Sequence, residues 1–246
     1  MIECVVLKKG KKAEIYQLIM KEYILASKSP RRKALLRNLI DSFIIINPEI
    51  KEARQAGESP GNFVMRNSEL KARAVGNQVT RLPGRDWIII GADTIVVDGD
   101  RVLGKPGDQS QAVAMLTQLR GKAHTVFSGL AVFDVSRGEI QTRQVLSQVL
   151  MREYTDKEID AYVASGDPMD KAGAYAIQNR KFDPAPGFSD CYANVMGLPL
   201  CHLAVLLHDM DCPIELDVAE SCQESIGYQC PIYSNILSGI NGKEKE

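Results

Sequence analysis

Residues 23–32 read YILASKSPRR, an apolar strand that passes through a short turn directly into a helix. Ser29 is a favoured N-cap and Pro30 a favoured first helical residue, so the helix begins at once. Backbone N–H groups at such a helix start attract anions. Arg31 and Arg32 fall in the first turn, where cations do not favour the helix itself. The stretch therefore predicts an anion site, with two ordinary surface arginines as the alternative.

Composition limits the class of protein. The chain has 246 residues, of which 45% are apolar, with 30 basic and 31 acidic side chains. These values fit one large or two small domains and exclude a wholly disordered chain. No apolar run reaches the roughly 18 residues of a membrane span, and no secretory signal is readable, so we expect a cytoplasmic protein without membrane contact.

The charges are unevenly distributed. Residues 1–37 hold 10 basic and 3 acidic side chains, whereas the rest of the chain is acidic on balance. The near-neutral total argues against a nucleic-acid coat protein, whose affinity depends on neutralising many phosphates. The local basic pole favours one compact anionic ligand, and a solvated basic face is the alternative.

Strand-like runs alternate with capped helices. Strands are expected at 23–27, 43–47, 87–92, 94–97, 101–103, 124–135 and 145–151. Asp98-Gly99-Asp100 is typical of a tight hairpin turn. Helices are expected after four capping residues, Ser29, Ser59, Asp108 and Thr155, and the second of these helices is expected to end at Gly76. The mixture predicts an α/β fold with a mixed sheet flanked by helices.

Asp93 is the acid most suggestive of chemistry. It interrupts the apolar run 88–97, IIIGADTIVV, and a buried anion is costly unless it is paired or binds metal. Asp93 is therefore a candidate metal ligand or proton acceptor. The alternative is an Asp at a strand end that turns outward into a loop.

Other candidates carry weaker signals. Lys105 follows the hairpin between a glycine and a proline, Lys71 lies on the second helix and Glu52 lies in a charged loop. A solvated side chain is the default interpretation of the last two. Gln178 follows small residues that allow a flat ligand to approach closely, and its amide can donate and accept. Asn194 fits a structural role in its loop as well as a ligand contact.

Both ends of the chain are interpreted as additions to a central domain. We expect an extension at 1–22, with Met20 as a candidate start, a main domain at 23–209 and a peripheral tail at 210–246. Five of the six cysteines lie from residue 191 onward, without C-x2-C spacing. Buried or incidental thiols are favoured over a disulfide framework or a metal site.

Six motifs occur together in an order that resembles the Maf family. They are LASKSPRR at 25–32, GADT at 91–94, GKP at 104–106, GKAH at 121–124, DKAGAY at 170–175 and NVMGLP at 194–199. The resemblance covers about residues 23–208. It implies an elongated α/β fold with two lobes around a central cleft, similar to inosine triphosphatases, and a nucleoside triphosphate pyrophosphatase activity.

The resemblance also implies residue roles. Asp93 matches the family's proton acceptor, and Glu52 with Asp93 matches a site for Mg2+ or Mn2+. The remaining matches are substrate-binding positions: Ser27, Ser29, Arg31, Arg32, Lys71, Thr94, Lys105 and Gln178. The motif DKAGAYAIQ at 170–178 is similar to the branch that acts on dTTP and UTP. Ala176 stands where glycine is usual, which narrows the pocket slightly.

The resulting hypothesis is hydrolysis of dTTP or UTP to the monophosphate and pyrophosphate, in the house-cleaning of nucleotide pools. Gln178 would pair with the O4 and N3–H edge of the base. Two alternatives remain: a pyrophosphatase that prefers 7-methyl-GTP or another modified purine nucleotide, and a nucleotide-sensing or nucleic-acid-binding regulator of cell division. The sequence does not fix the oligomeric state, for which a homodimer is one candidate.

Overall fold

The computed structural model describes residues 21–80, 86–212, 214 and 217–241. The expected N-terminal extension and the alternative start at Met20 fall almost entirely outside these residues. The first strand begins at Lys21, just inside the expected extension.

The described strands form one mixed sheet of six. They are β1 (Lys21–Ala26), β2 (Phe43–Ile45), β3 (Asp86–Asp98), β4 (Arg101–Leu103), β5 (Ala123–Asp134) and β6 (Glu139–Leu150). The order is β2-β1-β3-β5-β6, and β4 pairs with β3. β1 runs parallel to β2 and β3, and the other pairs are antiparallel. The predicted mixed sheet is confirmed, and β3 joins two runs that the sequence separated at residue 93.

Helices lie on both faces of the sheet. They are α1 (Pro30–Leu36), α2 (Pro60–Val79), α3 (Gln109–Leu119), α4 (Asp156–Ala164), α5 (Tyr192–Met196), α6 (Leu200–His208), α7 (Val218–Ile226) and α8 (Tyr233–Asn241). Two short 3-10 turns cover Asp167–Asp170 and Ala172–Ala174. The four predicted N-caps are confirmed, because each capping oxygen accepts a backbone N–H of the first turn. No helix within the described ranges has the length and apolar character needed to cross a membrane.

Alternate residues of β3 face different helices, as strand geometry requires. Ile89 packs with α2 on one face, whereas Ile88 and Ile90 pack with α1 and α6 on the other. Further along β3, Val96 packs with α3 and α4. One face is therefore covered by α2, and the other by two groups of helices.

The predicted end of α2 is wrong. The helix continues through Gly76 to Val79. A Cβ atom at Gly76 would lie 2.4 Å from a ring carbon of Phe133 on β5, so this glycine permits close helix–sheet contact and does not end the helix.

A gap in strand pairing decides where a ligand can enter. β3 pairs with β1 as far as Gly91 and with β4 only from Val96. Residues 92–95 therefore face an opening beyond the carboxyl end of β1, where β2 and β3 lie on opposite sides of β1. Ligands of open α/β sheets bind at such a position.

The segment from residue 210 onward is largely helical. Val218 and Cys222 of α7 belong to the same apolar cluster as α1 and α6, and Ile236 of α8 packs against it. The predicted boundary between residues 209 and 210 stays a prediction.

Candidate active site

A cleft of about 750 Å3 opens beside the part of β3 that pairs with neither β1 nor β4. The cleft is lined by all ten residues to which the resemblance gives a site role: Ser27, Ser29, Arg31, Arg32, Glu52, Lys71, Asp93, Thr94, Lys105 and Gln178. They come from separate segments of the chain, so the fold brings together what the sequence keeps apart.

Asp93 lies inside β3 and is only 6% exposed, so it does not turn outward into a loop. Its Oδ1 atom accepts from Lys71 Nζ at 2.6 Å, and its Oδ2 atom accepts from Asn67 Nδ2 at 3.0 Å. Asn67 and Lys71 are four residues apart on α2 and share one helix face. Sequence reasoning missed Asn67, although its i, i+4 spacing from Lys71 was a usable signal.

Lys71 is buried and is not the solvated lysine of the default interpretation. Its ammonium group contacts Asp93 Oδ1, Glu52 Oε1 at 2.8 Å and the Ala92 carbonyl at 3.3 Å. The three N–H groups of the ammonium can serve these three acceptors. Glu52 is half-exposed and reaches the same ammonium from its loop. Two carboxylates therefore converge on one cation at the floor of the cleft.

Arg32 is fixed by neutral oxygens. Its Nε donates to the Gly197 carbonyl at 2.8 Å, Nη1 to Ser27 Oγ at 3.3 Å and Nη2 to Thr94 Oγ1 at 3.0 Å. Desolvation lowers its pKa. Among the described residues no carboxylate forms an ion pair with Arg32. A desolvated cation without a carboxylate partner is suited to an anionic ligand.

Ser128 extends this arrangement and was also missed by sequence reasoning. It is fully buried, and its hydroxyl donates to the Asn194 carbonyl at 3.2 Å. Thr94 Oγ1 lies 2.9 Å from Ser128 Oγ. Because the one hydrogen of Ser128 is used on Asn194, Thr94 must donate to Ser128 and accept from Arg32. The result is a one-way chain of hydrogen bonds that fixes the Arg32 guanidinium.

Arg31 lies at the mouth of the cleft. Arg31 belongs to α1, and its Nη1 contacts Oδ2 of Asp170, in the first 3-10 turn, at 2.8 Å. Asp170 also accepts from Lys171, which in turn pairs with Asp167. This exposed contact is of the kind that contributes little to stability, so Arg31 can exchange Asp170 for a ligand at small cost.

Other cations line the cleft without an ion pair. Lys28 and Lys105 are exposed, and neither pairs with a carboxylate in the part of the chain that the structure describes. Ser29 contacts the Arg32 backbone N–H through its hydroxyl at 3.4 Å, and Ser27 Oγ accepts from the Ser29 backbone at 3.2 Å. The turn between β1 and α1 is thus fixed by its own hydroxyls.

Gln178 lies in the same cleft, near small and apolar residues. The neighbouring Tyr175 is buried, and its hydroxyl lies 2.8 Å from His124 Nε2. Burial lowers the pKa of His124 to about 4, so the imidazole is neutral near neutral pH. Asn194 is fully buried and contacts Ser147 Oγ at 3.0 Å, which is a structural role.

The two converging carboxylates, Glu52 and Asp93, are the candidate metal ligands of the cleft. No group of three or more His, Cys, Asp or Glu residues within the described ranges is arranged to hold a metal ion. Glu52 and Asp93 contact one cation from two directions, however, and Mg2+ is commonly bound by one or two carboxylates together with substrate phosphates. The donor set fits a divalent ion whose other ligands are phosphate oxygens and water.

Known proteins resemble the chain over the part that carries this cleft. The family model described as "Maf-like protein" matches residues 22–210. A dTTP/UTP pyrophosphatase of Pelotomaculum thermopropionicum is 43% identical over 188 residues, which is 76% of this chain and 96% of that protein. A dTTP/UTP pyrophosphatase of Alkaliphilus metalliredigens is 43% identical over 189 residues, 77% of this chain and 96% of that protein.

A solved structure also matches at a distance. It is a nucleoside-triphosphatase / dITP/XTP pyrophosphatase from Mycobacterium abscessus, with a TM-score of 0.32 and 18% identity over 54% of this chain and 73% of that one. A match this distant is not evidence of a shared activity.

Proposed function

The chain belongs to the family of Maf-like proteins, and we propose that it hydrolyses dTTP and UTP to the nucleoside monophosphate and pyrophosphate. One observation carries the proposal. Asp93 is a buried carboxylate at the floor of a cleft whose lining includes several cations, among them Arg31, Arg32 and Lys105. A receptor that bound phosphate without a metal ion would gain nothing from a carboxylate beside the anion, whereas hydrolysis needs a proton acceptor.

Asp93 orients and deprotonates the attacking water. The water oxygen bonds to the α-phosphorus, its proton passes to the carboxylate, and the bond from the α-phosphorus to the bridging oxygen breaks as pyrophosphate leaves. The contacts from Lys71 and Asn67 fix the carboxylate, and they keep it in one orientation before substrate arrives.

The cations stabilise charge on the departing pyrophosphate. This is the main requirement of phosphoryl chemistry, because the protein contributes positioning and electrostatics. Arg32 is already oriented by its three neutral partners. Arg31 exchanges Asp170 for a phosphate oxygen, and Lys105 approaches from the turn after β4. The arrangement spreads positive charge over the length of a triphosphate.

Glu52 and Asp93 are the residues that would hold Mg2+ or Mn2+. The ion supplies charge neutralisation and polarisation of a phosphoryl oxygen when bound. Lys71, which contacts both carboxylates, holds them together before the ion binds.

Gln178 and the residues before it form the place for the base. Ala176 and Ile177 are buried and line the cleft there, and the Gln178 amide can donate to O4 and accept from N3–H of uracil or thymine. Since an amide can also turn over to suit cytosine, Gln178 by itself does not separate UTP from CTP.

A nucleotide panel tests the proposal. The protein is assayed with dTTP, UTP, CTP, 7-methyl-GTP and dITP, with Mg2+ and with a chelator, and pyrophosphate and orthophosphate are measured separately. We expect pyrophosphate from dTTP and UTP in the presence of Mg2+ only. Orthophosphate as the first product would contradict the proposed bond cleavage. No product from any nucleotide would favour a sensor, and a preference for 7-methyl-GTP would place the chain with the other branch.

A further inference from the structure

Four cysteines line one small apolar cavity outside the cleft. They are Cys191, Cys201, Cys222 and Cys230, and the cavity of about 10 Å3 lies among α5, α6, α7 and α8. All four are free thiols. The chain brings them together from well-separated positions, and two of them belong to the segment that follows the family match at residue 210. Nothing in the pyrophosphatase chemistry uses them.

The four thiols differ in access. Cys191, Cys201 and Cys222 are buried, whereas Cys230 is partly exposed. Burial raises the pKa of each buried thiol to about 12, so these three remain protonated near neutral pH. An oxidant from solution therefore meets Cys230 first, because access and thiolate formation decide which thiol reacts.

Contacts around the cavity join the segment of Cys230 to the segment of Cys191, and both thiols line the same space. The Tyr228 hydroxyl lies 3.1 Å from the Asp190 carbonyl, and the Tyr228 ring lies 5.0 Å from the Tyr192 ring. Tyr228 thus contacts the residue before Cys191 and the residue after it. The Cys230 backbone N–H donates to Gln223 Oε1 at 2.9 Å, which fixes Cys230 against the end of α7.

We propose that Cys230 and Cys191 form a reversible disulfide when the protein meets a peroxide. The Cys230 thiolate attacks one peroxide oxygen, giving a sulfenic acid and a hydroxide, which takes up a proton from solution to become water. The Cys191 sulfur then attacks the Cys230 sulfur, the S–S bond forms, and a second water leaves with the proton of Cys191. Two thiols are oxidised, one peroxide is reduced to two waters, and an added thiol reverses the reaction.

The disulfide would join the C-terminal segment to the wall of the cleft. Cys191 is the N-cap residue of α5, and the end of the same helix lines the cleft at Val195 and Met196. Gly197, which follows directly, accepts the hydrogen bond from Arg32. The inference does not rest on the proposed nucleotide chemistry, because the thiols and their contacts lie outside the cleft.

The experiment treats the folded full chain with a small molar excess of hydrogen peroxide, blocks the remaining thiols and maps the peptides without reduction. We expect the Cys191–Cys230 peptide pair to be the main disulfide, and dithiothreitol to remove it. Cys230→Ser should abolish it. Cys212→Ser is the matched control: Cys212 is also buried, but it contacts Lys21 and lies outside the cavity, so the disulfide should form as before.

A second measurement keeps the test independent of one variant. The midpoint of thermal unfolding should rise by several degrees in the oxidised protein and return on reduction, since a disulfide constrains the unfolded chain. No such rise in Cys191→Ala is expected. A disulfide between Cys230 and another cysteine would overturn the pairing. The proposal would be overturned if Cys191 and Cys230 were still reduced after the peroxide treatment. It would also be overturned if a bound metal ion protected these thiols from oxidation until a chelator removed it.

Discussion

Asp93 shows how one residue can be fixed by burial and still be available for chemistry. Its two carboxylate oxygens each have one partner, Lys71 or Asn67, while a carboxylate has about four lone-pair sites. Lone pairs therefore remain for a water. The same contacts explain why the fold tolerates an acid in an apolar strand.

Replacing Asp93 with Asn should abolish most turnover and leave the fold intact. An amide keeps the size of the side chain but accepts no proton, so we expect the rate of pyrophosphate release to fall by at least about 100-fold. Circular dichroism should be unchanged. Asp100→Asn, in the exposed hairpin, is the matched control and should retain the wild-type rate. Near-normal turnover in Asp93→Asn would rule out the proposed proton acceptor.

Ser128 allows a separate test of the chain of hydrogen bonds that orients Arg32. Ser128→Ala removes the acceptor that Thr94 uses, so Thr94 can rotate and its contact with Arg32 weakens. We expect KM for the nucleotide to rise by about tenfold, which corresponds to about 1.4 kcal/mol, with a smaller change in kcat.

The control for Ser128 is another buried serine. Ser147 contacts Asn194 Nδ2 at 3.0 Å but contacts neither Thr94 nor Arg32. Ser147→Ala should therefore leave KM close to that of the wild type, even where it lowers stability. Equal changes of KM in both variants would mean that Ser128 acts through Asn194 and not through Thr94.

At the scale of elements, the site depends on how closely α2 approaches β3. A Cβ atom at Gly91 would lie 2.2 Å from the Ser68 carbonyl oxygen and 3.2 Å from the Ala72 side chain. Ser68 lies between Asn67 and Lys71 on α2, and these two residues hold Asp93. The glycine at position 91 therefore sets the distance between the helix and the carboxylate.

Gly91→Ala should move α2 away from the sheet and weaken the contact between Lys71 and Asp93. Overpacking of this kind costs about 1–3 kcal/mol, so the midpoint of thermal unfolding should fall by several degrees and activity should fall with it. Gly187→Ala is the matched control, because its Cβ atom would meet nothing within 4 Å. A Gly91→Ala protein as stable and active as the control would show that the close approach is dispensable.

Local signals predicted the beginnings of helices well. Ser29, Ser59, Asp108 and Thr155 cap helices because a hydroxyl or carboxylate beside a free N–H group is a local matter. The predicted end of α2 is wrong because the role of Gly76 is decided by a contact that is not local. Gly76 is explained by the ring of Phe133, which is distant in sequence and reaches the helix only in the folded sheet.

At the scale of the whole molecule, motif matches located the lining of the cleft but not its internal contacts. The burial of Lys71 between two carboxylates depends on a loop, a helix and a strand meeting. The link between Ser128 and Thr94 depends on the pairing of β3 with β5. Such contacts follow from tertiary structure, and residue types that are common on surfaces, such as Lys and Ser, give little sign of them.

The response of the whole molecule to acid depends on two buried histidines. Burial lowers the pKa of His124 and of His202 to about 4, from an ordinary value of 6.5. Between these values the unfolded chain binds more protons than the folded one, so the free energy of unfolding falls as pH falls. For His124, which is 3% exposed, the loss between about pH 7 and about pH 5 amounts to about 2 kcal/mol.

Denaturant unfolding across this pH range checks the prediction. His202→Gln, outside the cleft, and His124→Gln should each reduce the loss of stability on acidification, because each removes a group that must stay neutral in the fold. Above about pH 7.5 both imidazoles are neutral in either state, so there the curves of wild type and variants should run parallel. The carboxylates of Glu58 and Glu158, whose pKa values hydrogen bonds from arginines lower to about 2, titrate below this window. An unchanged slope in both variants would contradict the assignment, since neither imidazole would then contribute to the loss of stability.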